Sequence, residues 1–366
     1  MGKLNHRSSW SAKARWMAII GVILFGLVLT SVVIGAASTG QVISYAEVNL
    51  FPFIPSPVVF HIVGGVDQAD VYSYTGNLSG VRPVRIGGTL FTLSTRSMAY
   101  YDPYVLKATQ YVYEFMQAQG LAVEYDDWYD EEEDVTGRNV IGELTGVTHP
   151  TEIILITAHL DDMPEGNPAP GADDNASGSV GVMLAAELLA GHEFERTLRF
   201  VFFTGEEIDL LGSYAYAEEC KDAGENILAV YNMDMISWDA NQDGEVLLET
   251  RTKTNAGYPS DLAIASVFTQ SVKTYGLGAS LHPIVDAVYD DSIDSWSFWN
   301  FSYPSITAIE DFGGHETSPY YHTVNDNLGN LNFAYFTNFV KASVATAAHL
   351  ALPVDEKIYL PLAIRR

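Results

Sequence analysis

The chain has 366 residues, enough for a full α/β core plus an appendage. Hydrophobic residues make up 48% and charged residues 18%, which excludes general disorder. Acids outnumber bases 46 to 19, a formal net charge of −27, and so acidic a surface repels phosphate backbones and argues against nucleic-acid binding.

Residues 1–16 carry Lys3, Arg7, Lys13 and Arg15, and residues 16–37 carry no charge. The pattern predicts an export element over residues 1–40. It is either a signal peptide cut near Ala36-Ala37-Ser38 or a membrane anchor, since about 20 apolar residues span a bilayer. Both options place the rest of the chain outside the cytoplasm, with membrane contact only through residues 16–37 if they are uncleaved. Residues 41–93 are punctuated by Gly and Pro and read as a β-rich accessory segment or linker.

A main domain is expected over 94–352, followed by a tail at 353–366. Asp102-Pro103 has the form of a helix cap and first turn, with Val105, Ala108, Val112, Phe115 and Met116 on one face up to Gly120. Strands are expected near 122–128, 139–144, 152–160, 198–204, 227–233 and 305–310. Helices are expected before Gly191 and over 211–222, 261–275 and 333–350. The alternation implies an α/β fold, a mostly parallel mixed sheet with helices on both faces. Cys220 lies in a helical run and reads as a packed thiol, and as the only cysteine it cannot form an intrachain disulfide.

Residues able to carry chemistry gather where these strands end. The first such end supplies His159 and Asp161, and the following loop Asp173 and Asp174; the next two ends supply Glu206-Glu207 and Asp234, and a late loop His322 and Asp326. In open α/β sheets, sites form at the carboxyl ends of strands. Two imidazoles and several carboxylates there are a donor set for two divalent ions.

The segments HLD, PGADDNASG, GEEIDLLGS, NMDMIS and YYHTVND, in this order, resemble the di-zinc aminopeptidases: the bacterial leucyl aminopeptidases and their glutamate-carboxypeptidase relatives. The resemblance covers roughly residues 94–350. It implies two Zn2+ per chain, one held by His159, Asp173 and Asp234, the second by Glu207 and His322, with Asp173 as bridge. It further implies Glu206 as general acid/base toward a metal-activated water, Asp161 as the acid orienting a ligand histidine, and a cis peptide between Asp173 and Asp174. Asp294 aligns with a pocket acid of the family, but its neighbours differ, so the resemblance does not extend to specificity.

The implied activity is release of N-terminal residues from peptides with a free N-terminus. A carboxypeptidase would need a cation for the substrate carboxylate, and between residues 254 and 340 Lys273 is the only Lys or Arg; Arg251 lies just outside. The same fold could also serve a glutaminyl cyclase or a non-catalytic receptor-like ectodomain, and the intact ligand pattern argues against both. Met235, Ile236, Tyr320 and Tyr321 flank ligands and are candidates for an apolar pocket. The run DANQDGEV offers Asp239, Asn241 and Asp243 as a candidate Ca2+ loop, though position twelve is Thr250 and an Asp-Gly hairpin turn is the better reading.

Overall fold

The computed structural model describes residues 51–288, 290–312 and 316–354. The expected export element and most of the C-terminal tail lie outside the described residues. No helix among the described residues is long and apolar enough to cross a membrane.

In chain order the elements are α1 (Pro57–Gly64), α2 (Gln68–Leu78), β1 (Val84–Ile86), β2 (Thr89–Phe91), α3 (Leu106–Ala118), β3 (Ala122–Asp130), β4 (Val135–Leu144), β5 (His149–His159), α4 (Ala176–Leu189) and β6 (Arg196–Phe203). They continue with α5 (Leu211–Ala223), β7 (Ile227–Met233), β8 (Glu245–Glu249), α6 (Tyr258–Thr274), β9 (His282–Asp286), α7 (Asp294–Asn300), β10 (Ser305–Glu310) and α8 (Phe333–Ala351).

Eight strands form one sheet in the order β3-β4-β6-β5-β7-β10-β8-β9. The central strands β6, β5, β7 and β10 run parallel. Antiparallel pairs join β3 to β4, β4 to β6 and β10 to β8. Alternation along β5 divides two cores: Ile154 and Ile156 face a large cluster with α4 and α8, while Ile153 and Leu155 face a smaller one with Tyr216 and Cys220 of α5 and Phe298 of α7. Cys220 is a buried free thiol, as its helical context predicted.

The segment before residue 94 differs from expectation. Its described part holds two helices and one short hairpin, β1 with β2. Ser56 caps α1, accepting from the Val58 and Val59 amides at 3.1 and 3.4 Å, and Pro57 occupies the first turn. That Ser-Pro signal outweighs the β-branched Val58, Val59, Ile62 and Val63, which favour strand. Val59, Ile62, Val71 and Leu78 join the large core, so these helices are part of the domain's own interior. Farther on, Asp102 has extended φ/ψ and makes no cap, and α3 begins only at Leu106. The Asp-Gly turn at 243–244 is not a hairpin, because β10 inserts between β7 and β8.

Arg96, on the loop after β2, ties this segment to the centre. It is fully buried, and its guanidinium donates to the carbonyls of Leu160, Leu78, Pro170 and Gly171 at 2.6–3.0 Å. It also pairs with Asp162 at 3.3 Å. Gly171 sits at φ +46°, and a Cβ there would meet the Asp174 carbonyl at 2.5 Å, so the loop between β5 and α4 closes tightly here. Replacing Arg96 by Met removes the counter-charge of the buried Asp162 and the side-chain donors to four carbonyls. It is expected to lower unfolding stability by about 3–5 kcal/mol, measured by urea denaturation; a loss below about 1 kcal/mol would contradict the role given to Arg96.

Candidate metal centre

Five elements deliver the site. His159 ends β5, Glu206 and Glu207 follow β6, and Asp234 follows β7. Asp174 precedes α4, whose cap Asn175 accepts from the Gly178 amide at 2.8 Å. His322 comes from the loop after β10. His159, Glu206, Glu207 and Asp234 stand at or just beyond the ends of neighbouring parallel strands and Asp174 at the start of a helix, supports stiff enough to hold ligands in place.

Asp174 is the centre of the cluster. Its Oδ1 is 3.4 Å from His159 Nε2 and its Oδ2 is 3.1 Å from His322 Nε2. His159 Nε2 also lies 3.2 Å from Asp234 Oδ1, and His322 Nε2 lies 3.0 Å from Glu207 Oε2. The donor atoms of His159, Asp174 and Asp234 therefore form one compact set, those of Asp174, Glu207 and His322 a second, each within 4.8 Å. Glu206 Oε2 stands 4.0 Å from His159 Nε2.

Asp173 is not in this cluster, contrary to the sequence-based assignment. Its Oδ1 accepts from the Ser237 hydroxyl at 2.5 Å and the Ser237 amide at 3.1 Å. The cause is the backbone. Asp326 accepts from the Asp173 amide at 2.9 and 3.1 Å and from the Asp174 amide at 3.0 Å, so the two side chains diverge and Asp174 turns toward the imidazoles. The non-proline cis peptide likewise lies one bond later than expected, between Asp174 and Asn175.

Asp161 also differs in its contacts. Its Oδ1 is 3.8 Å from His159 Nδ1, too far for a hydrogen bond, and that nitrogen has no partner. Its carboxylate accepts instead from the amides of Glu206 and Glu207 at 3.4 and 3.3 Å, holding the glutamate pair at the end of β6.

Charge crowding shapes the protonation of the group. Burial pushes the Glu206 carboxyl well above its ordinary value, with Asp234, Asp294 and Glu207 adding to the push. Burial, then Asp174, pushes Glu207 up to about 8. Burial acts on Asp174 too, but the two imidazoles reverse it and hold this carboxyl below the usual carboxylate range. On His322 burial opposes charge, yet Asp174 and Glu207 raise the imidazole to about 10. Asp294, the acid aligned from sequence, opens α7 fully buried, and burial pushes it to about 7.

These residues fit divalent cations. The donors are all imidazole nitrogen or carboxylate oxygen, the set zinc takes. Glu207 Oε1 is buried without a hydrogen-bond partner, a free donor at the centre.

The model of peptidase family M28 matches residues 139–347. The chain belongs to that family. A probable leucine aminopeptidase of Arthroderma otae is 30% identical over 215 residues, 55% of this chain and 54% of that protein. The chain thus spans about half the length of the curated relatives it matches. Among solved structures, the LapA aminopeptidase of Legionella pneumophila matches with a TM-score of 0.66 at 18% identity, covering 89% of this chain and 81% of that one. A zinc aminopeptidase from Bacillus subtilis matches at 0.64 and 15%, covering 79% and 96%. A glutaminyl cyclase from Bacteroides thetaiotaomicron matches at 0.63 and 17%, covering 80% and 98%. These structural likenesses show the zinc-exopeptidase α/β fold, shared by peptidases and a cyclase alike.

A narrow cavity opens beside the cluster, lined by His159, Asp174, Glu206, Asp234, His322, Met235, Ile309, Phe312, Tyr321 and the acids Glu249 and Asp290. Of the four apolar candidates from sequence, Met235 and Tyr321 line it, while Tyr320 packs edge-on against Trp238. Tyr321 stacks on His322 at 3.7 Å and steadies that imidazole. Glu249 carries little signature in the sequence, because β8 is short; its one signal is an acid ending the apolar run Val246-Leu247-Leu248.

Asp239 and Asp243 of the candidate calcium loop approach Glu316, while the Asn241 amide is bound to Asp243 at 2.9 Å. A larger cavity lies beside that loop, away from the cluster.

The two aspartates can be told apart by metal content. Asp174→Asn is expected to weaken zinc binding by about 10- to 100-fold, read by elemental analysis of protein dialysed against a zinc buffer. Asp173→Asn is expected to keep the zinc. The reverse result would restore Asp173 as the bridge.

Proposed function

We propose that the protein is an extracytoplasmic, zinc-dependent aminopeptidase that binds two Zn2+ and releases N-terminal residues from peptides with a free N-terminus. The observation that carries this is the single Asp174 carboxylate reaching His159 with one oxygen and His322 with the other, with Glu206 beside it. His159, Asp174 and Asp234 would hold one ion, and Asp174, Glu207 and His322 the other. When bound, such a pair lowers the pKa of water and polarises a carbonyl.

The chain's own residues do the rest. Glu206 stands beside the cluster, its Oε2 4.0 Å from His159 Nε2, where it can accept a proton from the attacking water and pass it to the departing amine nitrogen. Asp161 fixes the backbone of Glu206 and Glu207, so base and ligand stay in register. His159, Asp174, Glu207 and Asp234 have side chains no more than 8% exposed, which keeps bulk water from competing at the reacting atoms.

Recognition of an amine rather than a carboxylate rests on charge. The cavity is lined by Asp174, Glu206, Asp234, Glu249 and Asp290 and by no Lys or Arg. Arg251, the nearest cation in sequence, is bound to Asp261 through two contacts of 2.7 Å and is committed there. A substrate carboxylate would find no guanidinium or lysine ammonium there, whereas a substrate ammonium would find carboxylates. The export reading rests on the basic N-terminus followed by the uncharged run at 16–37. We assign no calcium to the Asp239–Asp243–Glu316 group, whose members are partly or fully exposed.

Glu206→Gln is expected to cut kcat on aminoacyl 4-nitroanilides by about 10²–10⁴-fold while leaving zinc content intact. Chelation is expected to abolish activity, and added zinc to restore it. N-acetylated versions of the same substrates are expected to resist cleavage. Their hydrolysis at comparable rates would overturn the aminopeptidase reading.

A further inference from the structure

We infer that Glu249 is the specificity determinant of this cleft and selects substrates whose first residue ends in a cation, lysine or arginine. The inference rests on the aminopeptidase reading and adds to it the substrate class.

The first support is an unpaired charge. Glu249 is 7% exposed, its Oε2 has no hydrogen-bond partner, and it lines the same cavity as His159, Asp174, Glu206 and Asp234. A carboxyl taken from water without a partner is costly, and one that faces a cleft is placed to receive a partner from a bound group. Burial, then Asp290 and Asp286, pushes this carboxyl up to about 8.

The second support is position. The register pairs Glu249 of β8 with Thr307 of β10, Thr307 with Asn232 of β7, and Asn232 with Thr157 of β5. Paired residues share a face, so Glu249 points to the side of the sheet that also carries His159, two residues beyond Thr157. Glu249 therefore lies one two-residue step behind the ligand level, about 7 Å along the strands, and three strands to the side of β5 and two to the side of β7, which leads to Asp234. The substrate α-ammonium must sit beside the scissile carbonyl, at the ligand level. A group set deeper than that meets the far end of the first side chain.

The third support is the wall between them. Met235 and Ile309 form an apolar cluster with Phe312 and Tyr321, and all four line the cavity. An apolar lining of this kind suits the methylene stem of a long side chain, with the Glu249 acid at the end for its charge.

The test uses the full chain loaded with zinc and three substrates: the 4-nitroanilides of lysine, of norleucine (its uncharged counterpart) and of leucine. Wild type is expected to favour lysine over norleucine in kcat/KM by about 10- to 100-fold, and Glu249→Gln and Glu249→Met to collapse that ratio. Equal or better cleavage of norleucine, or a ratio unchanged in both variants, would overturn the inference. The second result is what an α-amine role for Glu249 would produce, since both substrates would then suffer alike. If no free aminoacyl anilide is cleaved, the aminopeptidase reading itself fails. Calorimetry then decides the inference without turnover: tighter binding of L-lysine than of L-norleucine upholds it, and equal binding sinks it.

Discussion

The structure turns on a crowding of like charges. Asp174, Glu206, Glu207 and Asp234 converge on two imidazoles at the end of one sheet, all largely buried. In water such acids would repel and drift apart. Here burial and mutual repulsion push Glu206 and Glu207 upward, and only the histidines offset the cost at Asp174. The arrangement makes chemical sense as a cradle for positive charge. Parallel strands are well suited to build it, because successive βα units bring their carboxyl ends to one edge.

Holding that cradle falls to two groups outside it. Asp326 grips the amides of Asp173 and Asp174, and Arg96 grips the carbonyls of Pro170 and Gly171 just upstream. Between them they set which of two adjacent aspartates faces the histidines. Arg96 also reaches Leu78 at the end of α2, so the N-terminal helices bear on the geometry of the metal loop. A segment that looks like an appendage by composition thereby helps set the site.

How much of this is legible in the sequence depends on whether the information is local. The strands at 227–233 and 305–310 coincide with β7 and β10, and the final helix with α8, because period and punctuation are local signals. The residues of the cleft are legible too, since His159, Glu206, Glu207, Asp234 and His322 all follow strands or their loops. The choice between Asp173 and Asp174 is not, because it is made by hydrogen bonds from Asp326, some 150 residues away. Nor is the partner of Asp161, which depends on how β5 and β6 lie side by side. The short strands β8 and β9 escape a reading of period because neither alternates cleanly; β8 gains its definition from β10, and β9 in turn from β8. Glu249 is hidden with them.

The scarcity of bases ties the surface composition to the cleft. With 46 acids and 19 bases, few guanidinium groups are available to the interior. Arg96 is held by Asp162 and the loop carbonyls, Arg196 by Glu152 and the Leu350 carbonyl, Arg199 by Glu143 and Glu225, and Arg251 by Asp261. Each anchors the frame; none lines the cavity beside the cluster. The cleft is therefore left with carboxylates facing histidines and no guanidinium to neutralise them. A low-dielectric cleft lined this way focuses its field and draws cations toward it, so the same imbalance that sets the charge of the whole chain also sets the sign of the cleft.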